Sequence, residues 1–170
     1  MAGHDTPWLG GFGDYRVRAG DRFLIGVGNP LTKIRMVASL RERGGQFASL
    51  IHPTAILGRN YHHGEGVVMA PYSMNTADTQ MGEFVTILSF SGLGHDASVG
   101  PFSTISSHVD LMGGVNIGAR VLVGSGARVM PNVKVGDDAR IGAAALVMRS
   151  VKPGVTVYAA PAKRFRLHGD

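Results

Sequence analysis

The chain contains no cysteine. No disulfide can staple it, and no thiolate can act as nucleophile or metal ligand. No apolar run approaches the roughly 18 residues that a membrane-crossing helix requires. Met1 to Gly20 lacks a basic n-region followed by an apolar h-region, so it does not read as a secretory signal. These absences predict a cytoplasmic protein without membrane insertion. Aromatic residues are scarce, at 7%, and only 17% of residues are charged. What is abundant is glycine, 25 of 170 residues, within an apolar share of 44%.

An aliphatic residue returns every six positions from Ile51 to Val147 with no insertion or deletion. The series runs Ile51, Leu57, His63, Met69, Asn75, Met81, Ile87, Leu93, Val99 and on through Ile105, Leu111, Ile117, Val123, Val129, Val135, Ile141 and Val147. Only His63 and Asn75 break it. Glycine often follows the lead directly, as at Gly58, Gly94, Gly100 and Gly118. The residue four places after the lead is small or valine, except at Tyr61. Neither the 3.6-residue helical period nor the two-residue strand period generates a strict six. A hexapeptide repeat does, and it predicts a parallel β-helix. Three hexads close one triangular coil, so residue n lies under residue n+18 and the leads stack into a dry central column. Glycine after the lead suits a bend that a Cβ would crowd. The formal charge of +5 is scattered over this frame. Arg128, Lys134 and Arg140 are six apart, fall on three different faces and make no stripe for nucleic acid. The one dense basic stretch is Lys163, Arg164 and Arg166.

Residues 1–50 predict a partial α/β domain, 51–152 the β-helix and 153–170 a C-terminal tail. Phe23 to Val27 reads as a short buried strand. Asn29 and Pro30 suit the N-cap and first position of a helix. Leu31, Ile34, Val37 and Leu40 then share one helical face, and Gly44–Gly45 ends the helix. Lys33, Arg35, Arg41 and Arg43 give it a basic outer face. Val155 to Tyr158 reads as one last strand.

Inward positions are packing, so chemistry belongs on outward residues near corners. His95 lies two places after a lead, in Gly94-His95-Asp96, and Gly113 stands eighteen residues later. A histidine can take a proton from a nucleophile, a contribution of about 10²–10⁴ in rate. A bare glycine N–H facing a developing oxyanion contributes about 10²–10³. Asp96 could hold the imidazole only where the chain turns a corner, since neighbours on a straight strand point to opposite faces. It would then fix the tautomer. His63, at an inward lead, reads as a core histidine, and Asn75 as a buried amide bonded to backbone. His108 is outward but thirteen residues beyond His95, on a different face, and could reach a site only at a subunit boundary.

Ile51-His52-Pro53-Thr54-Ala55, Gly94-His95-Asp96-Ala97-Ser98-Val99-Gly100 and Ala160-Pro161-Ala162-Lys163-Arg164 together resemble one family. It is the bacterial sugar acetyltransferases grouped with sialic acid O-acetyltransferase and bacillosamine-type N-acetyltransferases. The resemblance covers roughly residues 23–166. It implies a left-handed β-helix, a homotrimer, acetyl-CoA as donor and an amino or hydroxyl group of a sugar, often nucleotide-linked, as acceptor, in surface glycan biosynthesis. It implies His95 as general base, Asp96 as its orienting carboxylate and Gly113 as oxyanion donor. It places Ser125 and Ala143 along the pantetheine arm, and Lys163 and Arg164 against coenzyme A. Relatives often carry a second histidine where this chain has Thr104, which can still hydrogen-bond the donor. Relatives also begin with a Gly-rich strand–turn–helix that binds the nucleotide sugar. This sequence starts about where a later part of that domain would be, so either it is cut short or its acceptor needs no nucleotide pocket. Two other functions remain open. A structural β-helix would carry regular exposed threonine or aromatic ladders, and none is expected here. A metal-dependent hydratase of the zinc carbonic anhydrase kind needs three converging histidines. Gly100, five residues after His95, is no ligand, so no metal is expected.

Overall fold

A computed structural model describes residues 7–163. From Leu50 to Val157 the chain winds into a left-handed parallel β-helix with three flat faces. The first face stacks Ile56–Leu57, Met74–Asn75, Gly92–Leu93, Asp110–Leu111, Arg128–Val129 and Leu146–Val147. The second stacks His62–His63, Gln80–Met81, Ser98–Val99, Asn116–Ile117 and Lys134–Val135. The third stacks seven strands, from Leu50–Ile51 through Thr86–Ile87 and Thr104–Ile105 to Thr156–Val157. Register within the repeat is eighteen residues, as in Leu93 over Leu111 and Ile105 over Val123. The final rung slips to sixteen, with Arg140 opposite Thr156, because the repeat lapses after Val147.

The leads and the residues four places on fill the interior: Ile87, Ile105, Val109, Val121 and Val129 have no exposed surface. From Asn60 to Ala144 each corner is turned by the residue three places after a lead, in left-handed backbone with φ between 53° and 61° at the non-glycine positions. Glycine directly after the lead serves another purpose than the bend. A Cβ at Gly100 would stand 2.5 Å from the Gly118 carbonyl carbon, and one at Gly124 2.6 Å from the Ala143 nitrogen. The crowding comes from the next coil.

Three expectations fail in detail. The first strand is only Arg22–Phe23, paired in parallel with Gln46–Phe47. Beyond it Leu24 is exposed and only Ile25 is buried. His63 is exposed rather than core, its Nδ1 2.8 Å from the Gly64 carbonyl, because the first coils leave their end open to solvent. The buried face of helix α1 (Pro30–Glu42) is Pro30, Lys33, Val37 and Leu40, with Leu31 outside. Asn29 does cap this helix, its Oδ1 accepting from the Thr32 N–H at 3.0 Å. Asn75 is buried as expected, and accepts from the Gly58 N–H at 2.9 Å.

Lys33 is the largest departure. It lies fully buried between α1 and the third face. Its Nζ donates to the Phe84 carbonyl (2.8 Å), Thr86 Oγ1 (3.0 Å), Thr104 Oγ1 (3.1 Å) and the Ser103 carbonyl (3.4 Å). Burial without a carboxylate partner pushes its pKa down to about 8. At the same junction Arg41 bridges Glu65 and Glu83, each at 2.9 Å, and lies over the Phe84 ring. The α1 unit is thereby fastened to the coil stack.

Candidate active site

His95 and Asp96 form the corner between the first and second faces, with Asp96 at φ 59°. That turn breaks strand alternation, so the adjacent side chains meet: His95 Nδ1 lies 2.8 Å from Asp96 Oδ2. The imidazole is 72% exposed. A carboxylate at Nδ1 favours the proton there and leaves Nε2 free as an acceptor. Gly113 sits one coil further along the same edge. A Cβ added to it would collide with His95 Nε2 and stand 2.7 Å from Cε1, so any larger residue would push the ring from this position. The coils are tied there by Gly114 N–H donating to the His95 carbonyl at 2.8 Å. No protein acceptor takes the Gly113 N–H among the described residues. A proton acceptor and a free main-chain donor thus share one edge, the two groups that acyl transfer requires.

The other expected residues are not gathered here. Thr104 is buried on the third face and its hydroxyl accepts from Lys33, so it cannot meet a donor as expected. The cause is α1, which covers that part of the face. Ser125 and Ala143 lie exposed on the edge between the third and first faces, across the first face from His95. Lys163 is exposed at the end of the described chain, and Arg164 lies outside the described residues. A concavity of about 860 Å³ lies at the C-terminal end between Ala144–Lys152 and Val155–Ala159, away from His95. The chemistry sits instead on a convex edge, which cannot surround a ligand by itself. Among the described residues no group of three or more His, Asp or Glu side chains could hold a metal ion.

Sequence reasoning missed one feature of these edges. Tyr72, Phe90 and His108 form an exposed ring ladder where none was expected, with centroids 5.4 and 5.0 Å apart. The only available signal was three dissimilar residues at intervals of eighteen.

Fold and edge geometry together define a hexapeptide-repeat acyltransferase. The bacterial transferase hexapeptide family (six repeats) matches residues 114–148. Among solved structures, PerB from Caulobacter crescentus, in complex with CoA and GDP-perosamine, is 30% identical, with a TM-score of 0.79 over 84% of this chain and 69% of that one. The acetyltransferase domain of PglB from Neisseria gonorrhoeae, in complex with acetyl coenzyme A, is 26% identical, with a TM-score of 0.77 over 85% and 70%. WeeI from Acinetobacter baumannii, 24% identical with a TM-score of 0.83 over 89% and 75%, shares the fold. Curated protein sequences give no match. The chain belongs to the hexapeptide-repeat sugar acetyltransferases.

Proposed function

We propose that the protein transfers an acetyl group from acetyl-CoA to an amino or hydroxyl group of a sugar or nucleotide-linked sugar, in the cytoplasmic assembly of a bacterial surface glycan. The observation that carries this reading is His95, oriented by Asp96 at 2.8 Å, with its ring against the bare backbone of Gly113. The ligands of PerB and of the PglB domain support both donor and acceptor class.

His95 Nε2 removes the proton from the acceptor as its nitrogen or oxygen attacks the thioester carbon. The tetrahedral oxyanion takes the Gly113 N–H. Collapse breaks the carbon–sulfur bond, and the imidazolium returns the proton to the departing coenzyme A thiolate. Asp96 stabilises the transient imidazolium.

A second wall comes from further copies of the chain. The first face carries an exposed apolar row, with Ile56 61%, Leu146 60% and Met148 68% accessible and Met74 beside them. Its central charges, Arg128 and Asp110, neutralise each other at 3.5 Å. Closing three copies around an axis parallel to the coil stack buries these rows. It also brings the His95 edge of one copy against the Ser125–Ala143 edge of the next. The pantetheine arm runs in that seam, and Lys163 meets the nucleotide end of coenzyme A.

His95→Ala should lower kcat/KM with acetyl-CoA and amino sugars by about 10²–10⁴. Activity within about threefold of wild type would exclude the base assignment, since a true base contributes far more.

A further inference from the structure

Two stacks of rings run along the prism. Phe84 and Phe102, 5.1 Å apart, are accounted for by the α1 unit: Phe47 meets Phe84 edge-on at 4.9 Å and Arg41 lies over it. The Tyr72–Phe90–His108 stack has no such cover. It lies on the edge between the third and first faces, and all three residues are exposed. The rings are nearly parallel, at 11° and 13°. Each residue sits in left-handed backbone, at φ 57°, 61° and 59°, a region that costs a bulky side chain. The position points outward, so the core does not require rings there. The next two rungs of the same edge carry Gly126 and Ala144. The ladder therefore stops over glycine, and the free face of His108 opens onto a gap where an added Cβ would meet nothing nearer than 3.9 Å.

Rotation about an axis parallel to the stack keeps coils level. Phe90 precedes the Gly92–Leu93 strand of the first face and His95 follows it, so both belong to one coil. With first faces turned inward, as in the assembly argued above, Phe90 and His108 of one copy stand across the seam from His95 of the next. We propose that this ladder is the acceptor-side wall of the active site, and that the free face of His108 stacks on the pyranose ring of the acceptor. The proposal rests on the acetyltransferase reading. A π face is electron-rich and attracts the C–H face of a sugar ring. The sugar fills the gap over Gly126, and below it Ser125, Ala143 and Ala144 are small and leave the lower part of the seam to the donor. His95 and Gly113 then lie at the junction of the two halves.

Two measurements test this. The chain has no native cysteine, so Phe90→Cys chains and mobility-tagged Asp96→Cys chains can be co-expressed and treated with a short bis-maleimide. A tagged–untagged covalent pair is expected, and its absence overturns the seam. In steady-state kinetics, His108→Ala should raise acceptor KM by about tenfold, the scale of one lost stacking contact. The acetyl-CoA KM should stay within about twofold, and His108→Phe, which keeps a π face, should restore most of the loss. Unchanged acceptor KM in His108→Ala, or no rescue by His108→Phe, overturns the stacking role. A wild-type protein that acetylates no sugar sinks the acetyltransferase reading itself. An active wild type with indifferent variants sinks only the ladder.

Discussion

At the scale of single residues, Lys33 shows how far context overrides type. A lysine on a helix reads as solvent-facing, and its neighbours Arg35 and Arg41 are exposed. Its burial depends on oxygens 51 to 71 residues away, which no local pattern encodes. The consequence is a pH signature. An unfolded lysine titrates near 10.4, whereas folded Lys33 titrates near 8. Between those values the unfolded chain holds a proton that the folded chain has released, so stability should rise with pH across that window. The full gain is about 3 kcal/mol or less, since each unit is worth about 1.4 kcal/mol. Chemical denaturation of wild type and Lys33→Met between pH 7.5 and 10.5 should show the gap widening in favour of wild type as pH rises. Parallel curves would show that Lys33 keeps an ordinary pKa. His95 stands at the other extreme, since its outward place beside a corner was legible from the six-residue count alone. Its bond to Asp96 required the left-handed turn at Asp96.

At the scale of the coil, the hexad dictates nearly everything. Inward leads, small residues four places on and rungs eighteen apart all follow from one period. The role of the glycines after the leads is subtler. Their missing Cβ makes room for the neighbouring coil's backbone, which a single strand's pattern cannot disclose. Gly100→Ala should therefore destabilise by about 1–3 kcal/mol, the usual cost of overpacking, read as a lower denaturant midpoint with unchanged slope. A midpoint matching wild type would mean that the rungs can part without cost. Helix α1 was legible in extent, from its Asn29 cap to its Gly44 stop, but not in orientation. Its buried stripe runs through Pro30, Lys33 and Val37, because the third face offers Thr86 and Thr104 beneath it.

At the scale of the molecule, the trimer proposed above makes a lone prism an incomplete enzyme. Its site is convex, and the apolar ends of its first face, Ile56 with Met74 and Leu146 with Met148, are uncovered. Leu146→Glu with Met148→Glu should convert a species of three times the 17.9 kDa chain mass into smaller ones, measured by sedimentation equilibrium. Activity should fall in parallel, because the second wall departs with the partner. A double variant that remains trimeric would place the interface on another face.

The sequence alone determined the β-helix, its register and the exposed edge that bears His95, because each follows from a strict period acting through nearest neighbours along the stack. Tertiary structure alone decided that Lys33 is buried, that Thr104 is occupied and that Tyr72, Phe90 and His108 form a ladder. Those outcomes depend on which surface α1 covers and on how outward side chains align from coil to coil, and a repeat that specifies only the inward residues leaves both free.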